Sequence, residues 1–151
     1  MSESSFSSET LDEIHWLSVK DVPALMPLFE VHEPKIPVAV IEQRIREMFS
    51  QGYRCVGTYR NDKLIAMSGV WIMTKYHVGK HVVADHVFVL PQFRGQGIAR
   101  RMIDFLFSYG EQNDCIAMEI DAYLYNQSAH EFWKSLGFKD IGLHFQKKLI
   151  N

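Results

Sequence analysis

The chain has 151 residues, 47% of them hydrophobic and 23% charged, with a formal net charge of −2. That length suits one domain able to bury roughly 68–70% of its unfolded surface, and the mild acidity lacks the basic footprint of a nucleic-acid binder. No apolar run approaches the ~20 residues of a membrane span, and Met1-Ser2-Glu3-Ser4-Ser5 lacks the basic and apolar regions of a signal peptide, so a cytoplasmic location is expected. Cys55 and Cys115 both fall in strand-like runs and read as small buried thiols in a reducing compartment rather than a disulfide.

Residues 1–12 are rich in Ser and Glu, with Phe6 and Leu11 as apolar anchors, and read as a flexible tail ahead of a single domain over 13–151. Ile14-His15-Trp16-Leu17 reads as a first strand. The stripe Val22, Leu25, Met26 and Phe29 predicts a helix from about Asp21. Ser18 and Asp21 have capping-box spacing, but that register would set Pro23 too deep, so a later start is expected, and Pro27 should keep the helix short or kinked. Residues 32–37 form a loop, and Pro37 opens a second helix whose stripe is Ile41, Ile45, Met48 and Phe49, ended by Gly52.

Tyr53 to Tyr59, the turn Arg60-Asn61-Asp62, and Lys63 to about Tyr76 form a hairpin by pattern. A third long strand follows from Lys80 to Leu90. A helix over about 98–112 carries the stripe Ile98, Met102, Phe105, Leu106 and Tyr109, and Cys115 to Ala122 is again a strand. Ala129, Phe132, Trp133 and Leu136 predict a short helix stopped by Gly137, with Ser128 and Glu131 at capping-box spacing. Phe138–Ile141 and Phe145–Leu149 read as two closing strands. The expected architecture is a mixed α/β sheet of six to seven strands with helices on both faces.

The stretch Leu90 to Arg101 stands out within this order. It runs from the strand Val87-Phe88-Val89 through Gly95 and Gly97 into the helix at Ile98. Glycine lets the backbone take unusual dihedrals and approach a ligand closely. A helix N-terminus presents unpaired N–H groups and the positive end of its dipole, which suits an anion such as a pyrophosphate.

Gln92-Phe93-Arg94-Gly95-Gln96-Gly97 resembles the [Q/R]-x-x-G-x-[G/A] acetyl-CoA signature of the GNAT N-acetyltransferase superfamily. Asn126-Gln127-Ser128-Ala129-His130-Glu131-Phe132-Trp133-Lys134-Ser135-Leu136-Gly137-Phe138 is similar to that family's second motif, N-x-x-A-x-x-F-[Y/W]-x-x-x-G-F. The six-residue motif alone is weak. The pair is specific, because one helix and one strand separate the two, as in the family, and together they cover about residues 80–140.

The resemblance implies an acetyl-CoA-dependent N-acetyltransferase acting on a primary amine, of a small molecule in preference to a protein, by direct attack in a ternary complex. It places the pyrophosphate on the backbone of Arg94, Gly95, Gln96, Gly97, Ile98 and Ala99, with Arg100 or Arg101 toward the 3′-phosphate. The pantetheine runs beside Val87, Phe88 and Val89, and an N–H of Val87 or Val89 polarises the thioester carbonyl. Asn126 holds the pantetheine arm, and Ala129, Phe132 and Trp133 pack near it. It further implies a homodimer, for which the closing strands 138–149 offer an edge. No metal is expected: His77, His81 and His86 are spaced so that an ideal strand sends His81 and His86 to opposite faces.

Each residue also has a plainer reading. The glycine turn could be an ordinary helix start, Asn126 a helix cap, and Phe132 and Trp133 simple core residues. Strand alternation groups Asp85 with Val87 and Val89, and His86 with Phe88. Asp85 matches a position where family members place an acid near the acetyl group, so it is the candidate base, acting directly or through water. Glu119 and Asp121 share a face with Tyr123 and could meet a substrate ammonium or only solvent. Family members commonly have a tyrosine after the second motif's Phe as acid for the leaving thiolate, and here it is Trp133, whose indole supplies no proton at a useful pKa. Tyr125, Tyr123 or water must then take that part. That departure keeps a second reading open, a non-catalytic acyl-CoA-binding or sensing module, and a third is a protein or peptide N-acetyltransferase.

Overall fold

The computed structural model describes residues 12–150; the N-terminal tail proposed from sequence lies outside them save for Asp12. The chain divides into two compact units, one up to Asp121 and one from Ala122 onward.

The first unit is a five-stranded sheet in the order β1-β2-β3-β4-β5. Strands β1 (Glu13–Leu17), β2 (Arg54–Arg60), β3 (Lys63–Lys75) and β4 (Gly79–Val89) pair antiparallel with their neighbours, and β5 (Ala117–Ile120) lies parallel to β4. A parallel neighbour needs a crossover, and α3 (Ile98–Gln112) supplies it.

One sheet face is covered by α1 (Val22–His32) and α2 (Val38–Ser50), whose Leu25, Phe29, Ile41 and Ile45 meet Tyr53, Cys55, Met67 and Phe88. The other is covered by α3, whose Ile98 and Met102 meet Ile65, Ala66 and Val89. Cys55 and Cys115 are both free, and burial pushes the Cys55 thiol up to about 12, so it acts as a small apolar residue. Among the described residues no helix is long and apolar enough to cross a membrane.

Local signals explain the helix ends. Ser18 and Asp21 do form a capping box, with Asp21 Oδ2 accepting from Ser18 N at 2.7 Å, but they cap a 3₁₀ turn (Val19–Asp21). The helix proper starts at Val22, so Pro23 sits in its first turn, where its missing N–H costs nothing.

In the second unit, α4 (Gln127–Ser135) is capped by Asn126, whose Oδ1 accepts from Ala129 N at 3.1 Å; the Ser128–Glu131 start expected from spacing is therefore two residues too late. Its far end is a Schellman cap: Phe138 N donates to Trp133 O, Gly137 N to Lys134 O, and Gly137 takes φ +93°. The Trp133 and Phe138 rings close that cap edge-on at 5.6 Å. The sequence expectation fails beyond it. Phe138–Ile141 and Phe145–Leu149 alternate like strands but form none, leaving five strands among the described residues rather than six or seven. A strand exists only through its ladder, and alternation alone does not provide a partner.

Candidate active site

The site begins where β4 loses its partner. β5 pairs with β4 only over His81–Ala84, so among the described residues Asp85–Val89 have no strand on that side. An edge of unpaired N–H and C=O groups can take an extended ligand as an added strand.

The same segment contains a β-bulge. Met67 pairs with Phe88 and Gly69 with Asp85, so three steps along β4 match two along β3, and His86 and Val87 together face Ser68. His86 takes φ +36°, in the left-handed region that non-glycine residues rarely enter. The bulge overturns the face assignment made from alternation. Val87 and Val89 do point toward α3. Asp85 instead lies on the α1/α2 face with His86 and Phe88, where Trp71 Nε1 donates to its Oδ2 at 3.3 Å. His81 and His86 likewise share a face, for the same reason. His81 is buried, its Nδ1 2.9 Å from Gly79 O and its Nε2 3.3 Å from Glu119 Oε1. Among the described residues no group of three or more metal-ligating side chains converges.

Three further residues lie beside Asp85, of which sequence reasoning weighed only His86, and that as a metal ligand. His32, at the end of α1, lays its ring 4.9 Å from Phe88; burial above all lowers its pKa, with Asp85 and Arg94 near enough to act on it. Tyr53 and His86 join through their hydroxyl and Nε2. Burial raises the Tyr53 phenol and lowers His86 to about 4, so both stay neutral at ordinary pH. Aromatic residues in a strand carry no sign of such a pairing in sequence.

Past Val89 the chain turns through Arg94, whose Nε donates to Val89 O at 3.0 Å, to Gly95 (φ +80°) and Gly97 (φ +76°). Gly97 is the N-cap of α3 and has no side chain to cap it. The first intrahelical bond runs from Arg101 N to Gly97 O, so the N–H groups of Ile98, Ala99 and Arg100 have no partner within the helix. Nothing lies within 4 Å of where a Gly95 Cβ would be. This open, donor-rich turn can receive an anionic group such as a diphosphate.

An ion-pair network braces the turn from behind. Asp12 accepts from Arg60 Nε at 2.7 Å and from Arg101 Nη2 at 3.2 Å; Arg60 also donates to the Gln96 side chain, and Arg101 to Gln96 O. Arg101 is thereby occupied, whereas among the described residues no ion pair or hydrogen bond of its side chain engages Arg100. Replacing Arg60 with Ala should loosen this brace and lower the Tm, read by a thermal melt. The Arg60 hydrogen bond chiefly lowers the Asp12 pKa below its ordinary 3.8, so the network stabilises the fold fully above that value. The Tm gap between wild type and Arg60→Ala should therefore be flat near neutral pH and close as pH falls through the depressed Asp12 pKa.

The remaining candidates lie in the second unit. Asn126 is engaged as the cap of α4, the Phe132 and Trp133 rings meet tilted at 59° with centroids 4.9 Å apart, and Tyr125 lies parallel to Tyr123 with centroids 5.3 Å apart.

Known proteins share this fold. Residues 13–138 match the model of the acetyltransferase (GNAT) family. An aminoglycoside N(6′)-acetyltransferase type 1 of Acinetobacter baumannii is 28% identical over 115 residues, 71% of this chain and 79% of the relative. A thialysine N-epsilon-acetyltransferase of Mus musculus is 29% identical over 63 residues, 42% of this chain and 37% of the relative. Among solved structures, an aminoglycoside N-acetyltransferase in complex with CoA superposes with a TM-score of 0.81 at 19% identity, over 92% of this chain and 95% of that one. With a family model matching residues 13–138, most of its length, the chain belongs to the GNAT acetyltransferase family.

Proposed function

We propose that this acetyltransferase moves the acetyl group of acetyl-CoA to the primary amine of a small cationic molecule. The observation that carries the reading is the β4 bulge. It turns Asp85 to the α1/α2 face while the Val87–Val89 edge leads to the donor-rich start of α3. One acceptor face and one cofactor edge thus meet at one strand. The chemistry of that face suits a cation: Asp85 is joined there by the Trp71 indole and, farther along, by Glu119. The aminoglycoside and thialysine acetyltransferases among the relatives are named for amine-bearing small molecules.

In this reading acetyl-CoA supplies the acetyl group as a thioester. The backbone from Arg94 to Ala99 holds its diphosphate, with Arg100 toward the 3′-phosphate, and the Val87, Phe88 and Val89 main chain holds the pantetheine. Asp85, directly or through one water, takes a proton from the substrate ammonium and frees the lone pair that attacks the carbonyl carbon. An N–H of the Val87–Val89 segment stabilises the oxygen as it gains charge, a contribution typically worth ~3–4 kcal/mol. As the carbon–sulfur bond breaks, the attacking nitrogen gives up its second proton to water and the departing thiolate takes one from Tyr125 or water, leaving a neutral amide and free coenzyme A. Asn126, Ala129, Phe132 and Trp133 are assigned to the pantetheine arm on the strength of the family motif, and a reducing cytoplasmic setting and a homodimer belong to the same reading.

The test is free-thiol release from acetyl-CoA against aminoglycosides, polyamines, lysine analogues and peptides. Saturable release is expected with at least one small cationic amine and not with peptide N-termini. Trp133 in the place of the usual tyrosine favours a second reading, an acyl-CoA sensor. A saturating rise in Tm with acetyl-CoA but no release with any amine would establish that reading instead.

A further inference from the structure

Behind the bulge lies an arrangement that the acetyl-transfer roles above do not use. The Tyr53 hydroxyl meets His86 Nε2, and the His86 ring packs 4.9 Å from Phe29. Gly69, the strand partner of Asp85, has no room for a side chain: a Cβ there would collide with the Tyr53 ring and lie 2.6 Å from His86 Nε2. His86 Nδ1 is buried without a partner, so the Tyr53 hydroxyl is the ring's one side-chain anchor among the described residues. His86 is also the residue that pays for the bulge, holding a left-handed backbone that costs an L residue free energy and persists only where its surroundings enforce it.

We propose that Tyr53, His86 and Gly69 form a lock on the β4 bulge, positioning residues that set the direction of the Val87 main chain toward the thioester carbonyl. Gly69 makes the space, the imidazole fills it, and the phenol fixes the ring. The left-handed turn at His86 is then held from its side chain rather than by a strand partner. Because the extra residue lies directly between Asp85 and Val87, the same lock sets the offset between the acceptor face and the cofactor edge. Neutral partners suit this part: burial keeps the phenol and the imidazole uncharged, and the pair needs no proton transfer to hold.

The inference rests on the acetyl-transfer reading, and the test separates the two. Bind acetyl-CoA labelled with ¹³C at the thioester carbonyl and record its stretch by difference infrared spectroscopy, for wild type, Tyr53→Phe, His86→Asn and the double variant. Asn tolerates the left-handed backbone, so His86→Asn removes the ring while sparing the turn as far as possible. Wild type should bind with the stretch moved to lower wavenumber. Tyr53→Phe should bind acetyl-CoA within about twofold, lose most of that shift, and lose roughly tenfold in kcat with the KM for acetyl-CoA little changed. The double variant should be no worse than the more damaged single one, since the two groups act as a unit.

Tyr53→Phe with the wild-type carbonyl shift and kcat, or losses that simply add, would overturn the lock. A lower Tm in the variants without a change in the shift would reduce the trio to packing and overturn it equally. Failure of wild type itself to bind acetyl-CoA would overturn the acetyl-transfer reading and the lock with it.

Discussion

Asp85→Asn is expected to lower kcat by about 10²-fold or more, the scale of a positioned proton-transfer group, while acetyl-CoA still raises Tm as in wild type. The substitution is nearly isosteric. Trp71 Nε1, 3.3 Å from Oδ2, finds an amide oxygen in the same place, so packing on the α1/α2 face should survive. What is lost is the negative charge and the ability to accept the proton of the ammonium. The glycine turn proposed for the pyrophosphate lies beyond Val89 and makes no use of the carboxylate, so the loss should fall on kcat and leave cofactor binding intact. Steady-state kinetics from pH 6 to 9 with a thermal-shift titration reads both. A variant with wild-type kcat throughout that range removes Asp85 from the chemistry. One that loses acetyl-CoA binding as well shows that the carboxylate holds the strand rather than the proton.

The second large effect is expected at the turn. Gly97→Val should raise the Kd for acetyl-CoA about tenfold or more, in line with the ~1–2 kcal/mol that an L side chain costs in the left-handed region. Space is not the obstacle, since the nearest atom to a Cβ there is the flexible end of Arg101 at 3.4 Å. The backbone is: φ is +76°, and a β-branched residue there must either bear the strain or rotate the N-cap. Rotation would redirect the free N–H groups of Ile98, Ala99 and Arg100. Gly97→Asn, which tolerates that region, should recover much of the affinity. Equal losses for Val and Asn would point to crowding by any side chain and away from backbone conformation.

Much of this protein follows from sequence because the signals are local. Helix α3 can be read at its observed ends, since its stripe, its leading glycine and its polar tail all lie within 15 residues. The glycine turn is equally plain, because a left-handed N-cap leaves few alternatives to glycine. The cap of α4 is local too: Asn126 at one end and Gly137-Phe138 at the other are fixed by backbone groups within five residues. Two motifs at the right separation were then enough to identify the family resemblance.

Tertiary structure decided what depends on distant partners. The alternation of residues 138–149 reads as two strands, yet a strand needs a neighbour to complete its hydrogen bonds, and none forms there among the described residues. The bulge is the clearer case. Nothing in Asp85-His86-Val87 marks an extra residue, since the step is defined only against Met67 to Gly69 on another strand. It is held by a tyrosine 33 positions earlier in the chain. That single residue of slip moves Asp85 from the α3 face to the α1/α2 face. Composition and spacing determined which cofactor chemistry the turn can serve; the pairing register, a property of two strands at once, decided where the acid stands.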